Sequence, residues 1–286
     1  MTIGLHNAEP VLLEAVKKHV PVVNLDRESG TNADVYFFDF IPTKSDKTPE
    51  KAARLLKQVT LLEEAVKRKK PILLFDRYLA LTSKEHDWLK RSNTRFLEPA
   101  LNHRTGFTYL PFWYVPKTLN DISISVSGRP YILGYKGNIS ERLKSFETTY
   151  VSFAKVYPSH NIVYDKPIAQ TKEEEYKNDG IERKPFNYTD CQYTFIIGTN
   201  LEYRVGYLDS YLFKALDANC VPLIPLEHRY FSAISWPSNR MDFLVDQYDK
   251  VHIGMLLEVY ENLERYYPEM QIQNVAESIT RIVKGA

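Results

Sequence analysis

The stretch Tyr193–Pro225, YTFIIGTNLEYRVGYLDSYLFKALDANCVPLIP, decides the fold class. It opens on an apolar, aromatic run, Tyr193–Ile197, closed by Gly198, and reads as a buried strand. A polar, glycine-containing loop follows over Gly198–Gly206. Helical spacing runs over Gly206–Ala218, and a tight turn leads into a second apolar run, Val221–Ile224. Strand, helix and strand in this order form a βαβ unit, which demands a parallel sheet. The first N–H groups of such a helix have no partner within it, so the helix start attracts a diphosphate. Arg204, just before it, can neutralise phosphate bidentately. Gly206 and Tyr207 sit at the loop exit, and Asp209 and Ser210 are placed to bond ribose or sugar hydroxyls. The plain alternative is an ordinary βαβ unit whose Asp209 caps its helix.

The same alternation runs outward through the chain. Thr2–Asn7 is a short apolar run, Glu9–His19 has helical spacing, and Pro21–Asp26 reads as a strand. Asp34–Ile41 (DVYFFDFI) is a strand stopped by Pro42. Pro49–Lys69 is a long helix whose basic end, Lys67–Lys70, complements its dipole. Ile72–Phe75 is a buried strand, Ser83 caps a helix through Arg91, and Arg95–Leu97 and Phe107–Trp113 are extended. Pro116–Arg129 lacks periodicity and reads as a linker. The pattern then restarts with a strand at Tyr131–Gly134, a helix at Ser140–Val156, a strand at Asn161–Tyr164 and a polar loop over Lys166–Lys184. Two helices, Val251–Tyr266 and Ile272–Val283, close the chain. The division expected is 1–120, 128–270 and a C-terminal helix, 271–286, packing back on the first domain. Two open α/β sheets predict a cleft, with ligands at the carboxyl ends of the strands.

Composition narrows the classes. The 286 residues carry a formal net charge of +1, which argues against holding nucleic acid by bulk electrostatics. Met1–Ser127 nevertheless has 19 Lys and Arg against 15 Asp and Glu, a mildly basic half that suits an anionic partner. The two cysteines, Cys191 and Cys220, lack metal-site spacing and imply no disulfide framework. No signal peptide and no apolar run of about 20 residues is visible, so a cytoplasmic location without a membrane span is expected. No metal motif is present.

The segment GYLDSYLFKALDANCVPLIP is similar to the donor-site helix and strand of GT-B glycosyltransferases. Ala218-Asn219-Cys220-Val221-Pro222 matches the small-residue turn and Cys-Val-Pro strand of exostosin-like and fucosyltransferase families. It looks closest to phage DNA-modifying glucosyltransferases, which Ala33–Thr43 (ADVYFFDFIPT) also resembles. The resemblance implies an α/β GT-B fold, two Rossmann-like domains facing a central cleft, with the acceptor on the first and the donor on the second. It implies sugar transfer from a UDP-sugar, as co-substrate and without a further cofactor or metal, to 5-hydroxymethylpyrimidine in double-stranded DNA. Many such enzymes carry a helix Glu for ribose. Lys214 stands at that position here, leaving Asp209 or Glu202 for the contact.

Other candidates follow strands. By the same resemblance, Gly134-Tyr135-Lys136-Gly137-Asn138, then Arg142, is the loop expected to approach the donor pyrophosphate, its glycines letting backbone come close and Lys136 and Arg142 supplying charge; the plain reading is a strand-to-helix turn. Asp76, after the ILLF strand, is placed as general base, with Asp39 as alternative. The plain reading of Asp76 is an ion pair or helix cap. Arg77, Tyr78, Arg104 and Trp113 are candidate acceptor contacts, Trp113 within an aromatic run that otherwise belongs to the core. Two other functions fit the sequence: a transferase of bacterial surface polysaccharide, and an α/β binding protein without catalysis.

Overall fold

The computed structural model describes residues 1–28, 33–42, 48–123, 128–136, 162–164, 182–196, 200–208, 210–224, 228–235 and 248–285. The chain divides into two units, Met1–Pro111 with Ile272–Ala286, and Phe112–Gln271. The boundary thus falls ahead of the aperiodic stretch 116–129, and Trp113 belongs to the second unit.

The first unit is built on β1 (Ile3–His6), α1 (Pro10–Lys17), β2 (Val22–Asn24), β3 (Val35–Asp39), α2 (Pro49–Lys67), β4 (Ile72–Phe75), α3 (Ser83–Lys90), β5 (Thr94–Glu98) and β6 (Phe107–Tyr109). Its six strands pair in the order β2-β1-β3-β4-β5-β6, all parallel. The strand order reverses between β1 and β3. Every residue of β1, β3 and β4 is buried, as a parallel sheet covered on both faces requires. Leu61, Leu62 and Ala65 of α2 and Leu89 of α3 pack with Tyr36, Phe38, Ile72, Leu74, Phe96 and Phe107 of the sheet. The cap of α3 lies one residue before the expected Ser83. Thr82 accepts from the Glu85 N–H at 3.3 Å, and the Glu85 carboxylate accepts from the Thr82 N–H at 2.8 Å. The C-terminal helix, Ile272–Lys284, buries Ile272, Val275, Ala276, Ile279 and Val283, one stripe at helical spacing, and packs on α1.

The second unit holds α4 (Leu119–Ser123), β7 (Tyr131–Tyr135), β8 (Ile162–Tyr164), β9 (Glu182–Arg183), β10 (Cys191–Phe195), α5 (Asn200–Val205), α6 (Tyr211–Asp217), β11 (Val221–Leu223) and α7 (Tyr248–Tyr266). Five parallel strands pair in the order β11-β10-β7-β8-β9. Numbered within the unit this is 5-4-1-2-3, a doubly wound order with its reversal between β7 and β10. Its entering and leaving segments lie side by side, where the Tyr114 N–H donates to Met270 O at 3.0 Å. Glu182–Arg183 pairs with β8 although the sequence reads there as loop. The expected helix Ser140–Val156 lies outside the described residues, as does residue range 166–181 of the expected loop.

The expected loop Gly198–Gly206 carries a helix, α5, and the expected helix Gly206–Ala218 begins only at Tyr211, as α6. Gly206, at φ +67°, ends α5, and the Tyr207 N–H donates back to Glu202 O at 2.9 Å. Asn219, at φ +52°, ends α6 in the same way, with Cys220 N–H on Ala215 O at 2.8 Å. Both are left-handed C-terminal caps. Lys117 then donates to the carbonyls of Leu216 and Asp217 and to Asn219 Oδ1, while Arg129 donates to the carbonyls of Ala218 and Cys191. Two cations on a helix C-terminus complement its dipole and fix the turn from α6 into β11.

Candidate active site

In an open parallel sheet, ligands bind outside the carboxyl ends of the strands where the order reverses, because adjacent loops there diverge to opposite faces. Each unit has one such point, and each is described by itself.

In the first unit the point lies beyond β1 and β3, and polar residues converge on it. His6 ends β1 and is wholly buried, with its Nδ1 2.8 Å from Asp26 Oδ1. Asp26 also accepts from the Asn7 N–H at 2.9 Å, and Asn7 holds the turn open at φ +56° while its side chain donates to Asp39 O at 3.1 Å. Burial would raise the Asp26 carboxyl, but the bonds from His6 and the Asn7 N–H hold it below its ordinary value. Asp39 ends β3 at 3% exposure and is clasped by Arg77, with Nε on Oδ1 at 3.1 Å and Nη2 2.6 Å from Oδ2. Arg77 Nη1 donates to Glu9 at 2.8 Å. Burial nevertheless pushes the Asp39 carboxyl up to about 6 against the pull of Arg77. Among the described residues, none hydrogen-bonds the buried His6 Nε2.

Next along the edge, Asp76 is fully buried and accepts from the N–H groups of Ala80 and Leu81, each at 2.9 Å. Arg104 bridges Asp76 Oδ2 and Glu98 Oε2, both at 2.6 Å, and lies 4.0 Å over the Phe107 ring.

In the second unit the point lies beyond β7 and β10. Lys136 leaves β7, donating to Phe186 O with its ammonium 4.6 Å from the Phe186 ring centre. Gly206, Tyr207 and Leu208 are buried, and His228, 2% exposed, has Nε2 2.8 Å from Tyr207 O. Burial lowers the His228 pKa despite that bond, so its ring is neutral and pins the segment after α5.

No family model matches this chain, and no curated protein matches it. Solved structures do. The crystal structure of Anabaena HepE in complex with UDP and glucose is 8% identical, with a TM-score of 0.48, over 100% of this chain and 99% of that one. WaaG, a glycosyltransferase involved in lipopolysaccharide biosynthesis, is 13% identical with a TM-score of 0.48 over 100% of both chains. The UDP-GlcNAc 2-epimerase from Neisseria meningitidis, bound to UDP-GlcNAc, is 8% identical with a TM-score of 0.44, over 100% of this chain and 99% of that one.

The structure redistributes the residues singled out from sequence. Arg204 lies exposed within α5, before a glycine that ends a helix, so the expected cradle at a Gly206 helix start does not form. Ser210 precedes α6 and is 4% exposed, Glu202 is half-buried in α5, and Lys214 is exposed with its ammonium 5.5 Å from the Tyr211 ring. Gly137, Arg142 and Asp209 lie outside the described residues. Gly134 serves packing, since a Cβ there would meet Cys191 Sγ and the Phe186 ring at 2.6 Å. Tyr135 is 2% exposed in the core. Asp76 organises the Leu79–Leu81 turn and pairs with Arg104, and Asp39 pairs with Arg77, so neither presents a free carboxylate. Arg77 and Arg104 are therefore internal counter-ions, and Trp113, 5% exposed, is core. Tyr78, 52% exposed, stays at the surface. The sequence reading missed His6, Asn7 and Asp26. A His at a strand end followed by Asn, with an Asp ending the next strand, was the available signal.

Proposed function

We propose that this chain is a glycosyltransferase of the GT-B class that moves a sugar from a UDP-sugar to a hydroxyl acceptor. One observation carries the reading. The second unit has the doubly wound order β11-β10-β7-β8-β9, whose reversal at β7 and β10 is where such sheets take nucleotides. Lys136 leaves β7 at that point, and the buried segment Gly206–Leu208, pinned by His228, follows β10 and α5. The UDP-sugar is a co-substrate, and the reading needs no other cofactor and no metal. The acceptor that the sequence resemblance supports is 5-hydroxymethylpyrimidine in double-stranded DNA, in keeping with the basic balance of Met1–Ser127.

A second acceptor class, surface polysaccharide, is favoured by the outward side of α2. Leu56 is 69% exposed and Val59 39% exposed beside the exposed Arg54, an apolar and basic surface suited to a lipid-linked acceptor. No helix among the described residues is long and apolar enough to cross a membrane.

The test is UDP release from UDP-glucose and UDP-GlcNAc with hydroxymethylated DNA, with lipid-linked glycan, and with neither. DNA-dependent release supports the first acceptor and glycan-dependent release the second. Interconversion of UDP-sugars without release, or no UDP binding, contradicts transfer.

A further inference from the structure

We propose that the first unit carries a second ligand site, one that takes a phosphate monoester on a small hydroxylated body such as a sugar phosphate. The site is a cavity of about 300 Å³ between the last turns of α1 and of the C-terminal helix, lined by His19, Glu277, Thr280, Arg281 and Lys284. Its volume is at the lower end of the range of small-molecule sites. Chain order places it. β1 ends with His6 at the carboxyl edge of the sheet and α1 runs back from there, so His19, between α1 and β2, lies at the amino edge. Arg95, the second residue of β5, donates from that same edge to the carbonyls of Ile282 and Gly285 in the C-terminal helix. The cavity is therefore at the edge opposite His6, Asp39 and Asp76, and none of the residues discussed for sugar transfer takes part in it.

The charges around the cavity do not neutralise one another. Glu277 and Arg281 stand four apart on one helix with the acid first, the spacing and order that favour an ion pair. Yet among the described residues none pairs with or hydrogen-bonds the side chains of Glu277, Arg281, Lys284 or His19. Helix capping does not occupy these cations either. Basic residues in a last turn ordinarily serve the open carbonyls there, but Arg95 fills that role for the C-terminal helix. On α1, Lys17 is held by Glu14 at 2.7 Å, so it is His19 that faces the cavity. The side chains then select the ligand. Arg281 offers a planar fork that meets a phosphate bidentately, Lys284 a point charge and His19 a ring N–H. A phosphate monoester carries about −1.5 to −2 at neutral pH, which matches the two permanent cations. Glu277 accepts hydrogen bonds only, so it suits a hydroxyl beside the phosphate and repels a second acidic group. Thr280, 5% exposed, closes the floor, its hydroxyl proton already given to Ala276 O at 2.8 Å. A ligand held by both helix ends ties the C-terminal helix to α1, so occupancy steadies their packing.

The test uses the full chain with glucose 6-phosphate, inorganic phosphate, sulfate and glucose, and needs neither UDP nor turnover. Calorimetry is run at about 0.15 M salt, where unspecific attraction to surface charge is screened. Glucose 6-phosphate should bind with a Kd of about 1 mM or tighter, inorganic phosphate about 10-fold more weakly for want of the contact to Glu277, and glucose not at all. With glucose 6-phosphate at about ten times its Kd, amide exchange over Glu277–Gly285 should slow about 10-fold. Arg281→Gln and Lys284→Gln should each weaken glucose 6-phosphate at least about 10-fold, while exchange of the unliganded chain stays as in the parent, because both side chains are exposed. A merely structural role would move exchange without ligand and leave affinity alone. Glu277→Gln should tighten inorganic phosphate and reduce the preference for the ester. No binding of glucose 6-phosphate at about 10 mM, affinity undiminished in both cation variants, or sulfate and glucose bound as tightly as the ester would overturn the site.

Discussion

Replacing Arg77 by Met would remove the guanidinium that clasps the buried Asp39 carboxylate while keeping most of the side-chain volume. Arg77 makes two contacts to Asp39, at 2.6 and 3.1 Å, and a third to Glu9 at 2.8 Å. Even with Arg77 present, Asp39 is raised from 3.8 to about 6. At 1.36 kcal/mol per pH unit, holding it ionised in the folded chain already costs about 3 kcal/mol at neutral pH. Without Arg77 that cost rises further, and breaking a buried pair in this way destabilises by about 3–5 kcal/mol. The sign with pH follows from linkage. A carboxyl whose folded pKa exceeds its unfolded value binds protons more tightly when folded, so it favours folding as the pH falls through the folded pKa. In Arg77→Met the folded pKa lies higher still, so the deficit against the parent is largest near pH 8 and shrinks toward pH 5. Glu9, at the rim with its side chain 40% exposed, stays solvated and contributes little to the change. The assay is hydrogen exchange of the β3 and β4 amides, corrected for intrinsic rate, at pH 5.5 and 8, which reads this unit without requiring both units to unfold together. A deficit under about 1 kcal/mol at pH 8, or one that grows in acid, would refute the argument.

Three further outcomes are expected. Gly134→Ala places a Cβ 2.6 Å from Cys191 Sγ and the Phe186 ring, so it should destabilise the second unit by about 1–3 kcal/mol, read as a lower melting temperature; an unchanged melting temperature would contradict a packing role. Arg129→Met removes donors to the Ala218 carbonyl, which ends α6, and to the Cys191 carbonyl, which opens β10, and should cost about 2 kcal/mol, visible as faster exchange of the Cys220–Leu223 amides. Asp76→Asn weakens the Arg104 pair and the Leu79–Leu81 turn, so urea stability should fall by about 2 kcal/mol with UDP affinity unchanged; a large loss of turnover in a fully stable variant would restore Asp76 as a base.

The alternation of strands and helices was legible because buried parallel strands such as VYFFD and ILLF are short continuous apolar runs, and because α2 and the C-terminal helix keep strong periodicity. What failed was local. Gly206 was read as the entry of a helix because glycine marks both loops and helix ends, and only its positive φ and the back-bond from Tyr207 separate the two. Asp39, Asp76, Arg77 and Arg104 were correctly placed at strand ends but not correctly paired. Sequence neighbours suggest Asp76 with Arg77, whereas the sheet brings Arg77 to Asp39 of the adjacent strand and Arg104, from beyond β5, to Asp76. His6 escaped notice for a related reason. Its place beside Asp26 comes from strand order, which is not written in one dimension.

The central claim is that the second unit takes a nucleotide diphosphate sugar at the carboxyl ends of β7 and β10. A crystal structure of the chain with UDP tests it most directly. The account predicts the diphosphate beside Lys136 and the segment after β10, at the strand-order reversal. Nucleotide bound elsewhere on the chain, or no binding at millimolar UDP, would contradict it.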